Sequence, residues 1–361
     1  MVIATAMLYL PNAAIDVIKI FLVGASSFLI AFLLAPIFLR ILYKYKLWRK
    51  EVRTKSIDGK ELTYFQKFHS EGETSVPRFG GVLIWLGPVL AALLFYILSK
   101  TNIVEFNKLN FLSRSQTWLP FFALISASLL GLVDDILQVM GKGKYIGGGL
   151  SLKKRLLIMG AIGLIGGWWF YAKLGWSTIY IPWIGSLDIG IWYIPLFIVI
   201  MMAIYSGGVV DGIDGLAGGV FVSIFAAYSG IALFFGQIDL AAFSVAIIGA
   251  LLAFLWFNIQ PARFYMGESG MMGLCASLTV LAFLTNSVMI LPIVGFLLVI
   301  ESGSVILQLL SKKFRHKKIF LASPIHHHLE AKGWPPYQIT MRFWIIGVAM
   351  AILGLGIKLL G

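Results

Sequence analysis

Three features of the chain together predict an all-α polytopic membrane protein, a single domain over residues 1–361 with about ten transmembrane helices. The first is composition: 59% of the residues are hydrophobic and only 12% charged, far from the balance of a soluble globular chain. The second is the recurrence of apolar stretches of about 20 residues, the length an α-helix needs to cross about 30 Å of hydrocarbon. The third is the sorting of Lys and Arg, which fall almost entirely in alternate connections.

The predicted spans are residues 18–39, 80–98, 118–138, 155–173, 191–206, 216–235, 240–258, 270–286, 288–310 and 340–359. Ten basic residues from Arg40 to Arg78 follow the first span and place that connection inside. The third span ends in Gly131-Leu132-Val133-Asp134-Asp135, and five basic residues (Lys142, Lys144, Lys153, Lys154, Arg155) separate it from the fourth. Residues 176–195 alternate β-branched and aromatic side chains around Gly185-Ser186, which predicts a small outer-face β-hairpin with Trp and Tyr in the headgroup layer. The fifth and sixth spans flank Asp211 and Asp214, and the seventh and eighth flank Asn258 to Gly270. The ninth contains Glu301-Ser302-Gly303, where a broken or kinked helix is expected, and seven basic residues follow it. Odd-numbered connections are therefore inside and both termini outside. Residues 1–16 lack the basic stretch and cleavage site of a removable signal peptide and read as mature protein. The lone Cys275 lies in a span, which excludes a disulfide framework or thiolate metal site and leaves a packing role. The net charge of +13 is mostly an inner-face property; topology explains it, and it also attracts anionic headgroups and phosphorylated substrates.

A carboxylate near hydrocarbon is costly unless it has a task or a partner. Of the sixteen acidic residues, Asp134, Asp135, Asp211, Asp214, Glu268 and Glu330 fall at inner-face ends of predicted spans. Adjacent helical residues point about 100° apart, so Asp134 and Asp135 face different partners unless the helix ends there. Asp211 and Asp214 are spaced i, i+3 and share a helical face, with glycines that allow close backbone approach. Glu268 sits in Asn258-Ile259-Gln260-Pro261-Ala262-Arg263-Phe264-Tyr265-Met266-Gly267-Glu268. Glu301, inside a span, reads either as part of a site or as one half of an internal hydrogen-bonded pair.

The run Pro324-Ile325-His326-His327-His328-Leu329-Glu330-Ala331-Lys332-Gly333-Trp334 is a polar, histidine-dense loop between two apolar segments. Imidazoles donate hydrogen bonds and bind metals or phosphates, so the loop reads as a surface site or as a solvated stretch rich in His. Carboxylates, basic residues and histidines at one interface suit a diphosphate substrate held with Mg²⁺, which takes one or two carboxylates plus phosphate oxygens. Capping and solvation of helix ends is the competing account of the same acids.

These motifs, over nearly the whole chain, resemble those of the polyprenyl-phosphate N-acetylhexosamine-1-phosphate transferases, and within them the branch that handles phospho-MurNAc-pentapeptide. The piece most specific to that branch is Pro324 to Trp334 followed by Arg342-Phe343-Trp344-Ile345-Ile346. The resemblance implies Mg²⁺-dependent transfer of phospho-MurNAc-pentapeptide from UDP-MurNAc-pentapeptide to undecaprenyl phosphate at the cytoplasmic face of a bacterial inner membrane, giving lipid I and UMP in peptidoglycan synthesis. It suggests a homodimer. It also implies roles: Asp134 activating the lipid phosphate, Asp135 and Glu268 at the metal, and His326 in the catalytic group. Asp211, Asp214, Asn258, Tyr265, Gly267, His327 and His328 would contact substrate.

The chain departs from that pattern in several places. Glu268 stands where the family has Asp, one methylene longer, which shifts a ligand by about 1 Å. Tyr205 and Gly208 replace two Asn, Gln138 replaces a Lys, and the Lys-x-Gly-Thr-Pro-Thr-Met-Gly-Gly stretch reads Glu73 to Gly81. Arg78, Lys142 or Lys144 are the candidates for the missing positive charge. Transfer of another hexosamine-1-phosphate, such as GlcNAc-1-phosphate, and a divergent, non-enzymatic homologue are the alternatives. A transporter is disfavoured because the polar residues sit at one face rather than at the midplane.

Overall fold

The computed structural model describes residues 12–50, 72–101, 103–142 and 148–361. Lys144, four basic residues of the first connection (Arg53, Lys55, Lys60 and Lys67) and residues 1–11 of the N-terminal stretch lie outside the described residues. In chain order the helices are α1 (Asn12–Lys44), α2 (Gly81–Leu98), α3 (Val104–Leu109), α4 (Trp118–Val139), α5 (Leu152–Trp168), α6 (Tyr193–Gly207), α7 (Leu216–Phe234), α8 (Ile238–Asn258), α9 (Gly267–Leu284), α10 (Leu291–Val294), α11 (Phe296–Phe314), α12 (Ile325–Ala331) and α13 (Pro336–Leu360). Nine of the helical segments are long and apolar enough to cross a membrane, among the described residues, and a tenth span is completed by the pair of α10 and α11. The protein is an all-α polytopic membrane protein, as the composition predicts.

The bundle is organised around α9. Every residue of α9 is buried except Glu268 in its first turn, so the one polar position open on this helix is at the end where the acidic loops gather. Helix α4 packs along α9, α2 and α6 lie against it as well, and α8 is sandwiched between α1 and α7. Apolar surface gains little from leaving lipid for a helix neighbour, so these contacts depend on close fit rather than on the hydrophobic effect. At the opposite end of α9, Phe283 stacks on Phe197 at 4.4 Å between ring centroids and packs against Phe170 and Tyr193.

The predicted hairpin is present. Strands β1 (Thr178–Ile181) and β2 (Gly185–Asp188) pair antiparallel in the register Thr178 with Asp188 through Ile181 with Gly185. Gly185 opens β2 rather than forming the turn, which falls on Pro182 to Ile184, and Trp183 and Trp192 are exposed. The hairpin follows the far end of α5, at the opposite end of the bundle from Asp134 and Asp135.

The ninth span is broken, but not where the sequence predicts. The bend of 77° lies at Gly295, between α10 and α11, whereas Gly303 sits within an unbroken helix. Gly295 ends a turn in which its backbone N–H bonds to the Leu291 carbonyl at 2.7 Å, and α11 starts afresh from it, with the Val299 N–H bonding to the Gly295 carbonyl at 3.2 Å. Beyond the bend α11 buries Glu301, Ser304, Gln308 and Ser311, which share one helix face, while Val299, Ile306, Leu307 and Leu310 are exposed. That polar stripe holds the loop before the histidines. Gln308 accepts hydrogen bonds from the backbone of Ile319 and Phe320 at 2.9 and 3.0 Å and donates to the Phe320 carbonyl, and Ser311 donates to the Lys317 carbonyl.

Candidate active site

The two aspartates ending α4 point to different neighbours, as helical geometry requires. Asp135, fully buried, accepts the backbone N–H groups of Glu268 and Ser269 at 2.9 Å each. Both of its oxygens thus cap the N-terminus of α9, where unsatisfied N–H groups and the helix dipole favour a negative charge. Gly267 is required for that approach: its φ is +72°, and a Cβ there would lie 2.6 Å from an Asp135 oxygen.

Asp134, also fully buried, turns instead toward α5. Its Oδ2 lies 2.8 Å from Nη2 of Arg155 and accepts a 2.8 Å hydrogen bond from Nε2 of Gln138, and its Oδ1 accepts from the backbone of Leu150. The other terminal nitrogen of Arg155 contacts Oε1 of Glu268, whose Oε2 accepts a 3.0 Å hydrogen bond from the Tyr205 hydroxyl. Gln138 in turn accepts from Arg49, and Arg49 donates to Glu73 at 2.9 Å. One chain of contacts, buried except at the partly exposed Glu268, therefore runs Glu73, Arg49, Gln138, Asp134, Arg155, Glu268, Tyr205. Three of the positions at which the sequence departs from the family pattern, Gln138, Tyr205 and Glu268, are consecutive or near-consecutive members of it.

Asp211 and Asp214 lie on the turn between α6 and α7. Burial pushes the Asp211 carboxyl up to about 6, with the charges of Glu268 and Asp214 adding to the rise and Arg78 and His326 opposing it. Asp214 accepts the Ala262 backbone N–H at 3.0 Å. Asn258 clamps the two loops together, accepting from the Gly215 N–H at 3.0 Å and donating to the Phe264 carbonyl at 2.8 Å. Thr340 and Trp344 of α13 donate to the carbonyls of Asp214 and Gly215. Tyr265 is half-buried; its backbone bonds to Pro77 and Gly80 in the segment before α2, and burial raises its hydroxyl above the ordinary tyrosine range.

The histidine run forms the short helix α12, and its three rings have separate fates. His326 is fully buried, with Nδ1 2.9 Å from Oε2 of the equally buried Glu301. Nε2 of His326 is buried without a hydrogen-bond partner. It faces Gly212, where a Cβ would come within 2.2 Å, so only glycine lets the Asp211–Asp214 turn lie against this ring. His327 pairs with Glu330. His328 turns back to accept the Leu321 N–H at 3.1 Å, and burial followed by the charge of Lys332 holds its pKa below the usual histidine value. It thereby serves the loop before α12.

The structure gathers Asp134, Asp135, Asp211, Glu268 and His326 at one end of the bundle. Asp135 has both oxygens on backbone N–H groups of α9, and Asp134 and Glu268 share the guanidinium of Arg155. Asn258 joins the two loops. Arg49, Arg155 and the Glu301–His326 pair carry much of the geometry, yet in the sequence the arginines read as topogenic charges. Exposure distinguishes them, since Arg49 and Arg155 are buried while Lys153 and Lys154 are exposed. The oxygens of Asp134 and Glu268 are hard donors of the kind Mg²⁺ takes. Among the described residues no three His, Cys, Asp or Glu groups converge on one point, so a divalent ion here would draw its remaining ligands from phosphate oxygens and water, as Mg²⁺ ordinarily does.

A family model described as "Glycosyl transferase family 4" matches residues 117–286, the segment from the start of α4 to the end of α9. Similar proteins extend the likeness beyond that segment. The phospho-N-acetylmuramoyl-pentapeptide-transferase of Geobacillus sp. (strain WCH70) is 34% identical over 335 residues, 92% of this chain and 95% of that protein. The protein of the same name from Anoxybacillus flavithermus is 34% identical over 336 residues with the same coverage, and that of Bacillus pumilus is 33% identical over 339 residues.

Proposed function

The chain belongs to the phospho-N-acetylmuramoyl-pentapeptide transferase family of phosphotransferases, and from that premise we propose that it transfers phospho-MurNAc-pentapeptide from its UDP carrier to undecaprenyl phosphate, forming lipid I and UMP. The observation that carries this reading is the partnerless Nε2 of His326, set against Gly212 between Asp211 and Asp214: a buried polar atom that needs a ligand, beside the turn assigned to the nucleotide sugar.

A phosphate monoester is largely dianionic near pH 7, with a second pKa of about 6. Its oxygen attacks the phosphorus attached to the sugar; that P–O bond forms, the P–O bond to the UMP phosphate breaks, and UMP leaves with the electron pair. Phosphoryl transfer of this kind asks the protein for position and charge compensation. Asp134 orients the lipid phosphate, the half-buried ring of Tyr265 stacks on the base, His326 donates to or orients the donor, and Arg78, whose charge reaches Asp211, faces the diphosphate. Mg²⁺, when bound, supplies neutralisation of phosphate charge, and Asp134 and Glu268 are the residues that would hold it. The basic residues flanking this end support a position at the cytoplasmic face of a bacterial inner membrane.

UMP release by detergent-purified protein, given undecaprenyl phosphate and either UDP-MurNAc-pentapeptide or UDP-GlcNAc, with Mg²⁺ or EDTA, tests the reading. Turnover of the MurNAc donor alone, dependent on Mg²⁺ and reduced on the order of 10³-fold in Asp134→Asn, is expected. Turnover of UDP-GlcNAc in its place would assign the other hexosamine-1-phosphate, and release with neither would contradict the assignment.

A further inference from the structure

Arg155 is one of three consecutive basic residues at the start of α5, and the only buried one. The exposed Lys153 and Lys154 satisfy the topological demand for positive charge on this connection, so the burial of Arg155 calls for a separate cause. Its two terminal nitrogens divide between two carboxylates, Asp134 at 2.8 Å and Glu268. The side chains of Arg155, Asp134 and Glu268 are 11%, 0% and 19% exposed, so solvent screens this triad little. A planar guanidinium can bridge two acceptors in this way, whereas an ammonium acts as a point charge.

We propose that Arg155 is the resident counter-ion of the Asp134–Glu268 pair, and that a divalent cation enters this site only by displacing its guanidinium. The inference rests on reading that pair as the metal-facing part of the transferase site. Charge decides the exchange. With Arg155 in place the two carboxylates carry a formal net charge of minus one, and an added divalent ion would sit beside a guanidinium held by the same oxygens. With Arg155 withdrawn the pair is minus two and is neutralised by one divalent ion. The remaining contacts hold the carboxylates in position throughout: Gln138 and the Leu150 N–H stay on Asp134, and the Tyr205 hydroxyl stays on Glu268. The displaced guanidinium is left beside the incoming diphosphate, an anion its fork suits. Metal binding and substrate charge compensation are thereby coupled through one side chain.

The test uses the full-length protein in detergent without nucleotide or lipid, so that turnover plays no part. Free Mn²⁺ is read by electron paramagnetic resonance. Arg155→Ala should bind Mn²⁺ at least about tenfold more tightly than the wild type, Arg155→Lys should fall between them, and Arg155→Ala with Glu268→Gln should lose the gain. Equal or weaker binding by Arg155→Ala overturns the proposal. Should Arg155→Ala not fold, the wild type alone decides it: phenylglyoxal labelling of Arg155, followed by peptide mass spectrometry, should accelerate severalfold on adding Mg²⁺, with Arg49 as the unchanged reference. Slowing or no change overturns it. Exchange without transferase turnover would contradict the proposed reaction and leave this inference standing, and turnover without exchange would do the reverse.

Discussion

The two sides of the site differ in how completely their carboxylates are satisfied. On the side built by α4, α5 and α9, both oxygens of Asp134, of Asp135 and of Glu268 have a partner, and the chain of contacts extends through Gln138 and Arg49 to Glu73. On the side built by α11 and α12, Oε1 of Glu301 and Nε2 of His326 are buried without hydrogen bonds. Buried polar atoms in native proteins are nearly always paired, and each exception asks for an explanation. The filled side is pre-assembled and must exchange a partner to take a ligand. The open side is waiting for one.

That contrast predicts a dissociation between stability and activity. Arg49→Met removes the bridge between Glu73 and Gln138 and takes from the buried Glu73 carboxylate its guanidinium at 2.9 Å, so it should cost about 3 kcal/mol of stability, measured by thermal unfolding in detergent. A variant as stable as the wild type would show that the filled side contributes little to the fold. Gly212→Ala should do the opposite, because its methyl would come within 2.2 Å of Nε2 of His326 and push the turn off the ring. Turnover should fall about 100-fold with little change in unfolding temperature; full activity would mean that this ring and turn need not touch.

Asp211 sharpens the comparison because its cost depends on pH. Its folded pKa of about 6 lies above the ordinary 3.8, so the native state holds a proton that the unfolded chain has released. Its stabilising contribution is present below about pH 4, declines as pH rises toward 6 and is flat above that. Asp211→Asn should erase this slope and be more stable at pH 7 by on the order of 2 kcal/mol, while losing the acid limb near pH 6 from the rate profile. A steeper decline in the variant would reverse the sign and contradict the assignment. The smallest effect is expected from Glu301→Gln, which releases the Nδ1 anchor of His326 and should lower kcat about tenfold with KM little changed. A change confined to KM would place Glu301 in binding instead.

Much of this was legible in the sequence where local rules decide the outcome. Span length and charge sorting mark the helices, the alternation after Trp176 marks the hairpin, and the helical angle between neighbours separates Asp134 from Asp135. The i, i+3 spacing of Asp211 and Asp214 predicts a shared helical face, whereas the two acids lie on the non-helical turn between α6 and α7; the close backbone approach expected at their glycines is present at Gly212. The rest depends on partners distant in the chain. Arg155 meets Glu268 across 113 positions, Arg49 meets Gln138 across 89, and His326 meets Glu301 across 25, distances at which no periodicity speaks. The break at Gly295 rather than Gly303 has the same origin: both are glycines in an apolar run, and only packing distinguishes them. The departures at Gln138, Tyr205 and Glu268 look like separate losses along the chain, and in space they belong to one chain of contacts that passes through Arg155.

Product identity tests the central claim most directly. Purified protein in liposomes containing undecaprenyl phosphate, given UDP-MurNAc-pentapeptide, should yield UMP and undecaprenyl-diphosphate-linked MurNAc-pentapeptide in equal amounts, quantified by mass spectrometry of the aqueous and lipid fractions. UMP accompanied by water-soluble phospho-MurNAc-pentapeptide would make the protein a hydrolase. Its appearance without any lipid-linked product would contradict the account.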